Sequence, residues 1–190
     1  MTNSFQAKLV FPEVDKKISI SRKIVTFISR LIFRFKEKQS EHQLRRTAIH
    51  EAGHAIVALM TEHEVFGISI IPNKSSWGRT WFNDLKRMEW FSTPILQMVL
   101  SYGGHVAEEL FFGESQFFGT DKKFVDEIAF NMVTKWGMSP NLKFKYLNFK
   151  TASEEDKKLV NNEIKSIKEK AKTFAMEIIN EHRNEVIKEF

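Results

Sequence analysis

Residues 46–59 read RTAIHEAGHAIVAL, and the spacing inside this stretch orders the rest of the chain around it. Leu44, Ala48, Ala52, Ala55, Ile56 and Leu59 recur at the three-to-four-residue interval of a helix face, which predicts a helix over 41–61. His50 and His54 are four residues apart, so a helix places both imidazoles on one side, about 6 Å from each other. Gly53 stands between them. A helix interior prefers alanine, so a glycine there suggests that something packs closely against the backbone.

Downstream, Val65 to Ile71 (VFGISII) reads as a strand stopped by Pro72, and Asn73 to Ser76 has the composition of a turn. Trp77 to Phe82 (WGRTWF) reads as the return strand of a hairpin. Ser92 can cap a helix with Pro94 in its first turn, running to about Phe111 with Gly103-Gly104 inside it. That glycine pair implies close backbone packing or a local bend. Phe117 to Thr120 reads as a loop, and a helix is expected from about Asp121 to Trp136, ended by Gly137. Leu142 to Phe149 is ambiguous, with an extended reading available. Ser153-Glu154-Glu155-Asp156 opens a long charged helix that can continue to Lys188. The expected fold is mainly α (α+β): a helical domain with a small β-hairpin beside the helix that carries the two histidines.

The chain has 190 residues, 42% hydrophobic and 13% aromatic, enough for one compact domain with a proper core. Cysteine is absent, which excludes a disulfide framework, a thiolate metal site and a cysteine nucleophile. A reducing compartment fits, and a cytoplasmic location is expected. The net charge of +5 invites a nucleic-acid reading, but its distribution argues against one. Residues 1–40 hold nine Lys and Arg against three Asp and Glu, a balance of +6; residues 41–190 hold 20 against 21, a balance of −1. The chain therefore divides into a basic N-terminal extension, 1–40, and a near-neutral domain, 41–190. Within the extension, Ile24, Phe27, Ile28, Leu31 and Phe35 form an apolar stripe opposite Lys23, Arg30 and Arg34. The uncharged stretches are too short to span a bilayer, which needs about 20 residues. A helix over 18–38 can lie peripherally on an anionic membrane or dock on the protein, another copy of it or a partner; docking is the commoner use of such a stripe.

His50-Glu51-Ala52-Gly53-His54 is an H-E-x-x-H motif in the helical context that it requires. Two imidazoles so placed can ligate one Zn²⁺, and the adjacent Glu51 can reach a metal-bound water without ligating the metal. Zinc lowers the pKa of such a water to about 7, and a carboxylate can take its proton as it attacks a carbonyl. The bland alternative is two histidines facing solvent or buried in a core. A catalytic zinc normally has a third protein ligand. His63, Asp84, Glu89, His105, Glu108, Glu109, Asp121 and His182 are all candidates, and spacing does not choose among them. His63, nine residues beyond His54, is two and a half helical turns away and should point elsewhere. No H-x-x-G-x-x-H extension follows His54.

Residues 46–59 resemble the zinc helix of the peptidase domain of FtsH-type membrane AAA proteases. The likeness continues in order through Ile68 to Pro72 (ISIIP), Ser101 to Gly113 (SYGGHVAEELFFG), Gly119-Thr120-Asp121, and Glu127 to Ser139 (EIAFNMVTKWGMS). These blocks cover roughly 44–140, with a weaker match over 153–188. The resemblance implies a zinc metallopeptidase in which Asp121 joins His50 and His54 as metal ligand and Glu51 is the catalytic base. Without it, Asp121 reads as a plain helix cap. Glu108 and Glu109 have ordinary salt-bridge readings, and either can bond a zinc histidine from behind. The Ile68–Ile71 strand is a candidate substrate edge, with Trp77, Trp81 and Phe82 either lining the adjoining groove or packing in the core. The sequence departs from the family in lacking a G-x-x-x-x-G-K-[ST] motif and paired membrane spans, and in a shorter Gly-Thr-Asp turn followed by Lys122. The expected function is hydrolysis of peptides or unfolded proteins without ATP. The alternative is a non-catalytic relative that binds or regulates a partner protease. The intact His50, Glu51 and His54 favour the enzyme.

Overall fold

A computed structural model describes residues 40–72, 76–83, 92–116, 120–139, 141–142 and 146–183. The stretch 18–38, the candidate ligands Asp84 and Glu89 and the tail around Lys188 lie outside them.

Helix α1 spans Glu41–Met60. Its first turn is capped by Ser40, whose Oγ accepts from the Gln43 N–H at 3.3 Å. It ends where Thr61 caps it and Glu62 turns the chain with φ of 65°. His63 therefore lies past the helix, buried, with its Nδ1 2.9 Å from the Thr61 hydroxyl. It faces away from His50 and His54 because the helix has already ended, not because of helical phase.

Strand β1, Val65–Ser69, pairs antiparallel with β2, Arg79–Phe82, in the register Ile68↔Thr80 and Ser69↔Arg79, with an irregularity between Val65 and Gly67. Both strands are shorter than expected: Ile70 and Ile71 are not paired, and the return strand starts two residues after Trp77. Helix α2, Ser92–Phe112, has Pro94 in its first turn, where the missing N–H costs nothing. Helix α3 spans Thr120–Thr134, and Gly137 follows in a left-handed conformation, φ 64°. Helix α4, Glu154–Glu181, begins at Ser153, whose Oγ accepts from the Asp156 N–H at 3.1 Å. The described part of 142–149 contains no strand.

Helix α2 is the centre of the molecule. It packs α1 on one side and α3 and α4 on the other. That is why Ile95, Leu96, Met98, Val99, Leu100 and Val106 are all buried, leaving little of its length a polar face. Met132, Val133, Ile167 and Ile179 complete the core from α3 and α4. The α1–α2 crossing is backbone on backbone. A Cβ on Gly53 would stand 2.3 Å from the Gly103 carbonyl oxygen, and one on Gly103 would stand 2.7 Å from the Gly53 oxygen. The glycine in the H-E-x-x-H stretch and the first of the Gly103-Gly104 pair are thus two halves of one contact. The hairpin flanks α1 on the side that carries Glu51.

Candidate metal centre

One turn of α1 separates His50 from His54, and the two rings meet edge to face with centroids 4.8 Å apart. Their Nε2 atoms lie 3.1 Å from each other. From the first turn of α3, Asp121 brings Oδ2 to 3.4 Å from the His50 Nε2 and 3.5 Å from that of His54. Among the described residues this is the one group of three or more His, Asp or Glu side chains with ligand atoms close enough to share an ion, all within 4.8 Å. Four ligands at about 2.0–2.2 Å around a tetrahedral ion stand about 3.3–3.6 Å apart. The three measured edges fall close to that range, so the donor set fits zinc.

The far nitrogens are also committed. The His54 Nδ1 lies 2.7 Å from the Leu100 carbonyl, which can only accept, so this nitrogen carries the proton and Nε2 is left with its lone pair. The His50 Nδ1 lies 2.7 Å from the Glu108 Oε1. Of the two glutamates in the α2 motif, Glu108 is thus the one behind a histidine. Glu109 turns to α4, where Lys172 donates to it at 2.9 Å, with the His105 Nε2 3.1 Å away. His182 caps the end of α4. The structure therefore leaves His63, His105, Glu109 and His182 out of the cluster.

The cluster is strongly negative apart from its imidazoles. Burial disfavours the His50 cation, but the Asp121, Glu108 and Glu51 carboxylates outweigh burial and raise its pKa to about 9. Burial likewise opposes ionisation of Asp121, yet His50 and His54 hold its carboxyl well below the usual range. Glu108 is lowered too: burial is overcome by His50, the Gln116 N–H and Arg46. Three carboxylates converging on two imidazoles make a site built for a cation.

Glu51 is buried and faces the hairpin. The Thr80 hydroxyl lies 2.7 Å from its Oε2 and 3.0 Å from its backbone carbonyl oxygen. Gly78 lies against it: a Cβ there would stand 2.6 Å from the Glu51 Oε1 and 2.8 Å from the Thr47 Cγ2. Around this centre opens a cleft of about 820 Å³, lined on one wall by Trp77, Arg79, Thr80 and Phe82 and on the other by Leu100, Gln116 and Asp121. The wall is therefore β2 and the chain before it; β1, expected as the substrate edge, pairs behind it. Trp77 is 61% exposed at the cleft mouth, whereas Trp81 is 46% exposed on the outer face of the hairpin and does not line the cleft. Phe82 does both jobs, lining the cleft and packing on the core.

Arg46, Thr80 and the Leu100 carbonyl were not singled out from the sequence. Arg46 left a signal, because it precedes His50 by four residues on the same helical stripe. Thr80 left none, since 29 residues separate it from Glu51.

The model of Peptidase family M41 matches residues 37–188. The chain is 33% identical over 161 residues to an ATP-dependent zinc metalloprotease FtsH of Chlamydia trachomatis, covering 75% of this chain and 18% of that protein. It is 33% identical over 192 aligned residues to an ATP-dependent zinc metalloprotease FtsH 3 of Symbiobacterium thermophilum, covering 89% of this chain and 30% of that protein. A Protochlamydia amoebophila FtsH is 31% identical over 175 residues, 80% of this chain and 19% of its own length. The matched region is thus a fifth to a third of these relatives.

Proposed function

Because the chain belongs to peptidase family M41, the FtsH-type zinc metalloproteases, we propose that it is a metalloendopeptidase that hydrolyses peptides or already unfolded proteins without ATP. The single observation that carries this reading is the meeting of the His50, His54 and Asp121 ligand atoms in one cleft with Glu51.

In this reading His50, His54 and Asp121 hold the zinc. Zinc bound there supplies a Lewis acid that polarises the scissile carbonyl and acidifies a water. Glu51 would serve as general base, taking a proton from the attacking water and delivering it to the leaving amine. The Thr80 hydroxyl restrains one carboxylate oxygen of Glu51, and Gly78 leaves room for the other. A substrate lies extended along β2, adding main-chain hydrogen bonds to the edge that no other strand among the described residues pairs with, and Trp77 and Phe82 receive side chains. Residues 1–40 serve attachment, to a partner, another copy or a membrane surface, and stand outside the catalytic domain.

The test compares wild type with Glu51→Gln on unfolded casein, with zinc measured in both. Both should hold about one zinc, and only wild type should cleave. Two zinc-loaded proteins equally inert on casein and on peptide libraries would instead support a non-catalytic, partner-binding role.

A further inference from the structure

Arg46 is a buried cation that the proposed reaction does not use. Its side chain is 9% exposed and that of its partner Glu108 is 4%, and the Arg46 Nη1 donates to the Glu108 Oε2 at 2.8 Å. The other oxygen of the same carboxylate accepts from the His50 Nδ1 at 2.7 Å. Arg46 and His50 are one turn apart on α1, so the guanidinium and the imidazole approach Glu108 side by side. Glu108 is thus held from two directions, and its orientation sets that of the His50 ring.

The same two groups grip the chain that follows α2. The Arg46 Nη1 also donates to the Glu114 carbonyl at 3.3 Å, and Nη2 to the Glu114 Oε1 at 3.4 Å. The Gln116 N–H donates to the Glu108 Oε2 at 3.0 Å. The guanidinium also lies 4.7 Å from the centre of the Phe112 ring. Gln116 is five residues before Asp121. One buried ion pair therefore fastens both the ring of one proposed ligand and the chain at Glu114 and Gln116. A buried charge pair is weak evidence for stability as such, and its best-attested use is to specify geometry.

We propose that Arg46 is a positioning residue of the metal centre: by clamping Glu108 and the 114–116 segment it sets how tightly zinc is held without touching it. The proposal rests on the reading of His50, His54 and Asp121 as zinc ligands. Loss of a group that orients a ligand typically weakens metal binding about 10–100-fold. Arg46→Met, which keeps an unbranched side chain of similar reach without the charge, should weaken zinc by that factor in competition with a chromophoric chelator. It should also change the visible absorption of the cobalt-substituted protein. Arg46→Lys keeps the charge but loses the two-pronged contact, and should fall between. Ser139→Ala supplies the control, because it removes a buried hydrogen bond to Glu163 that is not part of the cleft.

Zinc affinity and cobalt spectrum in Arg46→Met no different from those of Ser139→Ala, compared at equal loss of melting temperature, would overturn the proposal. If Arg46→Met does not fold, Arg46→Lys decides: wild-type affinity and spectrum overturn the proposal, weaker binding in the folded protein upholds it. The wild type separates the two readings. Wild type without zinc defeats the metal centre and the clamp together, whereas zinc-binding wild type with an unaffected Arg46→Met defeats the clamp alone.

Discussion

Gly78 shows how little space surrounds Glu51, the proposed general base. Its missing side chain is the room in which the Glu51 carboxylate lies, since a Cβ there would stand 2.6 Å from Oε1. The atoms met belong to the flexible side chain of Glu51, so the carboxylate is the part that yields. Gly78→Ala should therefore lower kcat by about 10–100-fold, the order expected when a catalytic group is displaced by about an ångström. Bound zinc should stay at the wild-type amount, because the nearest atoms that the added methyl meets belong to Glu51 and Thr47, not to the proposed ligands. Steady-state cleavage of a peptide alongside metal analysis checks this; unchanged kcat would show that Glu51 has space to spare. Thr80 belongs to the same small system. Its hydroxyl is the polar partner that a buried carboxylate needs, and Thr80→Ser should preserve activity better than Thr80→Val.

At the scale of elements, the site is a consequence of two contacts between helices. The first is the α1–α2 crossing through Gly53 and Gly103. It brings the Leu100 carbonyl and the Glu108 carboxylate of α2 within 2.7 Å of the imidazoles of α1. An added methyl at Gly53 meets a carbonyl oxygen of the partner helix, which is not free to rotate away. Gly53→Ala should cost about 3 kcal/mol or more, the upper end of overpacking penalties, and should weaken zinc binding as the helices part. Chemical denaturation with and without zinc measures both effects, and a wild-type midpoint would refute the tight crossing.

The second contact is between α3 and α4, where Lys168 of α4 pairs with Asp126 of α3, and Lys122 joins from one turn earlier at 2.7 Å. Burial works against the Asp126 carboxylate, but the two lysines together outweigh it and lower its pKa. A carboxyl lowered on folding adds stability above its unfolded pKa near 3.8, and that stability is lost as pH falls through the lowered folded value. Because the pair is largely solvated, its worth is under about 1 kcal/mol. Asp126→Asn should lower stability at pH 7 by up to that amount and make less difference as pH falls below about 4, which flattens the acid limb of the stability curve. A parallel loss at every pH would mean that packing, not charge, is what Asp126 supplies.

For the whole molecule, the positive charge is concentrated at one end of the chain. The family match begins at residue 37, and the excess positive charge precedes it. No helix among the described residues is long and apolar enough to cross a membrane. Deleting residues 1–38 should leave zinc content and casein cleavage intact while removing any binding to anionic vesicles or to a partner. Loss of hydrolysis in a folded, zinc-loaded truncation would show that the extension belongs to the catalytic unit.

Much of this architecture was legible without coordinates. Helical periodicity located α1 and its two histidines, and the apolar run and turn residues located the hairpin. Gly53 and Gly103-Gly104 each announced close packing. These signals share a cause. Within one element the direction of a side chain follows from backbone geometry that repeats every few residues, so spacing alone states which residues share a face. The relation between elements has no such rule. Glu108 and Glu109 are equivalent in the sequence, and the crossing of α2 over α1 turned one toward His50 and the other toward Lys172. The resemblance to FtsH-type proteases pointed to Asp121, but its approach to within 3.5 Å of both imidazoles comes from where α3 begins, some 70 residues beyond His50. That β2 rather than β1 walls the cleft, that Thr80 holds Glu51 and that Arg46 clamps Glu108 were likewise decided by packing. The chain alone determined that two imidazoles and a carboxylate share one helix. Which distant side chains complete the centre depended on how the elements pack, because contacts 29 to 71 residues apart leave no trace in spacing.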